Sequence, residues 1–382
     1  MRKIAVITAT RAEYGLLKSL LKQIDSDVDL ELQLLVTGTH LEEDFGLTYK
    51  EIEQDFVIDV KIKMDLEESN NRANSLAMAK LQMHLTEALS RLSPDIIVIL
   101  GDRYEILSVA STATLLQIPL AHIHGGEVTE GAMDDSMRHA ITKLSHLHFC
   151  AAEVYRKRVL QLGEEPQRVY NVGSLGVENI QNVQLLSREE FEASIEFPLK
   201  KCNLLITYHP ETLSPLSAQE QMQTLLDALE QFCECGLIFT KANADAGGKV
   251  INAMIDEFVK KHSNSIAFTS LGQLRYLSAL RYIDAVVGNS SSGILEVPSF
   301  HIPTINIGER QKGRVMAKSI LNTALETETI VESIQKACEK RFVEELATMK
   351  SPFEGENCSF QIKEHLKNTP LEALRVKRFQ DL

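Results

Sequence analysis

Asp95–Glu105 reads DIIVILGDRYE. The unbroken, mostly β-branched run has no polar alternation, which suits a strand buried on both faces of a parallel sheet. Gly101 then permits a tight turn, and Asp102 can cap the helix that follows. Similar runs at Lys3–Ala9, Leu32–Val36, Leu120–His122, Leu147–Ala151 and Val169–Val172 predict further strands. Gly15–Ile24, Ser75–Leu92 and Asp134–Ser145 predict helices between them. The pattern restarts after a charged stretch, Gln181–Lys201, which reads as a linker. Asn203–Thr207, Leu237–Thr240, Ile266–Thr269, Ala285–Val287 and Thr304–Ile307 predict the second set of strands, with helices such as Gln219–Cys235 and Gly272–Tyr282. Alternating β and α elements imply two Rossmann-like, doubly wound α/β domains, 1–180 and 181–365. The expected ligand site is a cleft that the two domains face, built from loops after the strands' C-terminal ends.

At 382 residues the chain exceeds one ordinary core. A formal net charge of -13 argues against nucleic-acid or membrane-surface binding, which needs a basic footprint. The opening apolar run is too short for a secretory segment, and no run reaches the roughly 18 apolar residues of a membrane span. The expectation is a cytoplasmic protein. Its six cysteines do not read as a disulfide framework. Cys233 and Cys235 are one residue apart, which fits neither a zinc knuckle nor a thioredoxin motif, so reduced thiols are expected. No GxGxxG, no metal-ligand spacing and no GxSxG elbow is present. No cofactor and no metal are therefore expected.

The loops after the strands carry the candidate chemistry. Arg11, in Thr10–Gly15, would start a helix, where it suits a phosphate oxygen; the alternative is a surface pair with Glu13. Asp102 reads either as a helix cap or as a carboxylate placed to accept a proton. His122–His139, HIHGGEVTEGAMDDSMRH, gathers Glu127, Asp134, Asp135 and Arg138 beside a glycine turn. His122 and His124 alternate and point to opposite faces, which disfavours a shared metal. Asp134 and Arg138 lie four apart on one helix face; an ordinary ion pair is the bland reading. His209, after the strand Asn203–Thr207, could donate to a phosphate or cap the strand end. Asn243–Gly248 reads as a polar turn. Gly288–Gly293, GNSSSG, places Ser290, Ser291 and Gly293 at a helix start that exposes N–H groups to an anion such as a diphosphate. Glu296 could accept from ribose hydroxyls, and Arg310 could close over charge.

Together these motifs resemble the hydrolysing UDP-N-acetylglucosamine 2-epimerases of bacterial sialic-acid synthesis. The carrying stretches are Thr8–Gly15, Val36–Leu41, Gly101–Glu105, His122–Glu127, Asp134–His148, Gly173–Gly176, Tyr208–Thr212, Gly288–Ser299 and Ile305–Arg314, in family order. The resemblance implies a GT-B-like fold whose tail, 366–382, packs back on the first domain. It implies a homodimer or homotetramer with a UDP-sugar as its partner. It implies catalytic roles for Asp102, Glu127, Asp134 and Arg138, with His209 as a donor to the leaving diphosphate. Arg11, Asn243, Ser290, Ser291, Glu296 and Arg310 match nucleotide-binding positions. After the RAEY motif come Gly15, Leu16 and Leu17, and Lys18 is the first basic residue. Phosphate binding is thus expected to lean on Arg11, Arg310 and backbone N–H groups. The implied reaction converts UDP-N-acetylglucosamine and water to N-acetylmannosamine and UDP through a 2-acetamidoglucal. The alternatives are a UDP-2,4-diacetamido-2,4,6-trideoxy sugar substrate, a non-hydrolysing 2-epimerase and a GT-B glycosyltransferase.

Overall fold

The computed structural model describes residues 1–64, 71–128, 133–211, 214–242, 247–374 and 376–381. By its internal contacts the chain divides into two compact units, Met1–Asn179 with Phe353–Leu382, and Ile180–Pro352. The chain thus rejoins the first unit at Phe353, ahead of the tail expected from 366.

The first unit holds β1 (Arg2–Thr8), β2 (Leu30–Thr37), β3 (Val60–Ile62), β4 (Ile96–Leu100), β5 (Leu120–Ile123), β6 (Leu147–Cys150) and β7 (Val169–Asn171). They form a 7-stranded sheet in the order β3-β2-β1-β4-β5-β6-β7. The second unit holds β8 (Asn203–Thr207), β9 (Gly236–Thr240), β10 (Ser265–Phe268), β11 (Ala285–Gly288), β12 (Thr304–Ile307) and β13 (Ile320–Thr323). Its 6-stranded sheet runs β10-β9-β8-β11-β12-β13. Every pairing in both sheets is parallel. Strand order reverses between β1 and β4 and between β8 and β11, and such switch points open a crevice at the strands' C-terminal ends.

The unbroken apolar runs have a direct cause. In β1, Ile4 and Val6 pack toward the helices Arg11–Asp25 and Cys358–Asn368, while Ala5 and Ile7 pack toward Asn71–Leu92 and Tyr104–Leu115. Successive side chains alternate across the sheet and both faces are covered, so every position must be apolar. In the second unit Leu204 and Ile206 join one core and Leu205 the other. The helix Arg11–Asp25 buries Leu17, Leu20, Leu21 and Ile24, the spacing of a single helical face. Each fully buried side chain of this kind contributes about 1.5–3 kcal/mol relative to exposure.

Three features depart from the sequence reading. The edge strands β3 and β13 were not expected. β3 reads VKI, with Lys61 exposed, and a short lysine-bearing strand is how sheet edges avoid further pairing. The expected linker contains the helix Arg188–Ile195, closed by a capping box between Ser187 and Glu190 and buried through Phe191 and Ile195. Finally, Cys202 and Cys235, expected as thiols, form a disulfide with Cα atoms 4.6 Å apart. They precede β8 and β9, whose register pairs Asn203 with Gly236, so sheet spacing alone sets the two cysteines side by side.

No described helix is long and apolar enough to cross a membrane. At the second switch point, Gly288 has φ +139° and a Cβ there would lie 1.9 Å from the Thr207 carbonyl oxygen. Gly288→Ala is expected to destabilise the protein by about 3 kcal/mol or more, seen as a lower urea midpoint.

Candidate active site

In the first unit, loops after β4 and β5 and the helix Met133–Leu144 bring their polar residues to one guanidinium. Arg138, 6% exposed, is hydrogen-bonded to the Asp102 carboxylate. Its Nη1 donates to the His124 carbonyl at 3.2 Å and lies 3.5 Å from Glu127 Oε2. His124 Nδ1 lies 3.5 Å from the other Glu127 oxygen. His124 adopts φ +65°, and its buried Nε2 has no partner among the described residues. Burial raises the Asp102 pKa; Arg138 opposes this, and the charges of Asp134 and Glu127 add to it. Burial lowers that of His124, so the imidazole stays neutral near pH 7. Asp134 sits one turn before Arg138 on the same helix, while Asp135 faces His139 at 3.7 Å.

His122 plays a different part. It is fully buried, its Nε2 lies 2.8 Å from the Gly101 carbonyl and its Nδ1 3.2 Å from Thr142 Oγ1. Burial drives its pKa down to about 3, so it ties the β4 loop to the helix Met133–Leu144 as a neutral ring.

Arg11 begins its helix with a side chain 72% exposed and paired to Glu51 at 3.2 Å, not to Glu13. Lys18 pairs with Asp55 at 2.6 Å. Glu13 turns inward instead: its Oε2 accepts from the Ala9 N–H at 2.7 Å, and its Oε1 is buried with no partner among the described residues. Burial pushes its carboxyl up to about 7; the Ala9 N–H opposes this and the Glu105 charge adds to it. Glu105 is fully buried and is held by Arg103 through contacts of 2.8 and 3.1 Å. Glu13 thus ties the end of β1 to its own helix, and Arg103 and Glu105 pair just after β4. Thr10-Arg11-Ala12 before Glu13 gave no sign of this inward turn.

In the second unit, Asn289 is fully buried and its amide grips the backbone of His209, accepting from its N–H and donating to its carbonyl, both at 2.8 Å. The Asn289 carbonyl in turn accepts from Arg310 Nη1 at 3.2 Å and Gln311 Nε2 at 2.8 Å. Glu211 Oε1 accepts from the backbone N–H groups of Glu309 and Arg310 at 2.8 and 3.0 Å, folding that loop toward β8. Ser290 caps the short helix Ser291–Leu295. Ser292 Oγ donates to the Glu296 carboxylate and meets the Tyr276 hydroxyl at 2.6 Å. Burial raises the Glu296 pKa, with Ser292 pulling the other way. Gly293 has a packing role: its N–H is used by the Ser290 carbonyl, and a Cβ would come 2.9 Å from Thr304 Cγ2. Asn243 lies outside the described residues. The bracing roles of Asn289, Glu211 and Gln311 were not read from the sequence, because each acts on backbone brought close only by the fold.

The family model described as UDP-N-acetylglucosamine 2-epimerase matches residues 22–367. The chain belongs to the UDP-N-acetylglucosamine 2-epimerase family. A Campylobacter jejuni relative named GDP/UDP-N,N'-diacetylbacillosamine 2-epimerase (hydrolyzing) is 45% identical over 100% of this chain and 99% of its own length. The polysialic acid biosynthesis protein P7 of Escherichia coli is 38% identical over 94% of this chain and 91% of its own. The crystal structure of a Neisseria meningitidis UDP-GlcNAc 2-epimerase bound to UDP-GlcNAc has a TM-score of 0.78 at 16% identity, covering 97% of this chain and 100% of that one. This epimerase-family chain has a GT-B-like fold of two parallel α/β sheets.

Glu13 supplies a test of the buried charge. A carboxyl raised from 4.5 to about 7 on folding contributes stability that is complete below pH 4.5 and lost as pH rises to 7. Glu13→Gln keeps an acceptor for Ala9 but cannot ionise. Urea unfolding should find it close to wild type at pH 4.5 and more stable by about 3 kcal/mol at pH 8.

Proposed function

We propose that this protein is a hydrolysing 2-epimerase of a UDP-linked 2-acetamido sugar, releasing UDP and the free 2-epimeric sugar. The observation that carries the reading is the Arg138 cluster, where Asp102 and Glu127 share one buried cation with Asp134 one helical turn away. Burial and the like charges of Asp134 and Glu127 push the Asp102 pKa up from its ordinary value, and the Arg138 guanidinium pulls it the other way. Carboxyls held in different protonation states can serve as acid and base in one reaction.

The chemistry needs such a set. The C2 proton of the sugar has no adjacent carbonyl and is barely acidic. When the C1–O bond to UDP breaks, its electron pair leaves with the diphosphate and positive charge builds at C1, which acidifies C2–H. A carboxylate takes that proton and a C1=C2 double bond forms, giving a 2-acetamidoglucal. Water then adds at C1, losing a proton to one carboxylate, while another protonates C2 from the opposite face. We assign this proton traffic to Asp102, Glu127 and Asp134, with Arg138 setting their charge and geometry. His209, Arg310 and the Ser290–Ser291 turn stabilise the departing diphosphate. Glu296 accepts from the ribose, and Arg11 and Asn243 complete the nucleotide contacts.

The sugar is assigned in the same spirit. The motifs themselves suit UDP-N-acetylglucosamine, giving N-acetylmannosamine. The full-length relative at 45% identity, named for a diacetylbacillosamine nucleotide, favours a UDP-2,4-diacetamido-2,4,6-trideoxy sugar. The two differ at C4 and C6, where few residues decide.

Proton NMR in D2O with each UDP-sugar in turn tests the reading. Release of UDP with a free 2-epimer deuterated at C2 is the expected result, with the higher kcat/KM on the diacetamido sugar. A UDP-linked epimer without free sugar would overturn hydrolysis. Asp102→Asn and Glu127→Gln should each lower kcat by about 10³-fold while leaving the Kd for UDP within twofold.

A further inference from the structure

The last described residues of the chain lie against the helix that carries Asp134 and Arg138. Lys377 Nζ donates to the Thr142 carbonyl at 3.3 Å and to the Ser145 carbonyl. It also pairs with Glu164 at 2.6 Å. Glu164, its side chain 4% exposed, takes Lys143 of the same helix on its other oxygen at 2.6 Å and His148 of β6 at 2.9 Å. Burial pushes the Glu164 carboxyl up, yet His148, Lys143 and Lys377 together hold it down at about 2. The segment is fixed on either side of Lys377. Arg168 donates to the Ala373 carbonyl at 2.6 Å and the Val376 carbonyl at 3.3 Å. The Gln380 N–H donates to the Gly163 carbonyl at 2.9 Å, and a Cβ on Gly163 would come 2.5 Å from the Phe379 ring.

These contacts reach the acid–base cluster through Thr142. Its carbonyl is held by Lys377, while its hydroxyl donates to the Arg138 carbonyl at 3.0 Å and lies 3.2 Å from His122 Nδ1. The other nitrogen of His122 meets the carbonyl of Gly101 at 2.8 Å, one residue before Asp102. The last carbonyls of a helix have no partner inside it, and a cation there also complements the helix dipole. Lys377 supplies both from a sequence separation of 235 residues.

We propose that Lys377 is a positioning residue for the Arg138–Asp102 pair, the C-terminal segment acting as a strap on the far end of the helix that carries Arg138. This rests on the reading of that pair as part of the acid–base machinery. A strap of this kind shapes the reacting groups without meeting the nucleotide, so it governs turnover and not UDP affinity. Small misplacements of reacting groups can cost about 10²-fold in rate.

The test compares full-length Lys377→Met and Lys377→Arg with wild type. In Lys377→Met, kcat should fall at least tenfold with the Ki for UDP within twofold, and Lys377→Arg, which keeps donors and charge, should recover most of the loss. A kcat for Lys377→Met within twofold of wild type overturns the proposal. So does a parallel loss of kcat and UDP affinity that Lys377→Arg does not recover, since that marks a merely structural residue. If wild type turns over no UDP-sugar, the functional reading fails separately, and hydrogen–deuterium exchange still reads the strap. Faster exchange in Lys377→Met confined to residues 133–145 supports it, and unchanged exchange there overturns it.

Discussion

A single buried guanidinium orders the first unit's loops. The planar fork of Arg138 offers donors in several directions at once. Asp102 from the β4 loop, and Glu127 and the His124 carbonyl from the β5 loop, all converge on it. Breaking one partner of such a group leaves uncompensated charge out of water, a cost of several kcal/mol, so the loops are held to it as firmly as it is held to them. The strain accepted nearby, with His124 in the left-handed region, fits a site whose geometry is fixed by charge and not by local preference.

The second unit solves the same problem largely through backbone groups. Asn289 binds both polar groups of the His209 backbone, and the loop carrying Arg310 hangs on Glu211 and on the Asn289 carbonyl. The first unit's loops thus converge on a charged side chain, whereas the second unit's converge on the buried Asn289.

Much of this was legible in the sequence, for physical reasons. Strands buried on both faces must be apolar throughout, so the central strands of each sheet announced themselves, and the switch points then named the loops that matter. β3 and β13 did not, because an edge strand is paired on one side and can be short and polar. Asp102 and Glu127 could be singled out as carboxylates in loops after strands, and Arg138 as a cation on the helix that follows, but the convergence of both carboxylates on that guanidinium is a tertiary fact. Glu13 was read only as a surface partner for Arg11, since nothing local tells a helix's first-turn carboxylate which way to face. Gly293 looked like part of an anion cradle because glycine carries the same letter whether it exposes an N–H or makes room for Thr304. The Cys202–Cys235 neighbourhood follows from β8–β9 register, which a cysteine count does not contain.

The first unit is interrupted in sequence, and this has a bearing on how the chain is made. Its core is finished by Cys358, Ile362, Leu366 and Leu374, which emerge from the ribosome after all of Ile180–Pro352. The second unit is one continuous stretch and can close its core during translation, whereas the first must wait for the final helix with part of its apolar face uncovered. The amino-terminal half is therefore synthesised first and completed last, and the interval between is when a chaperone would have most to hold.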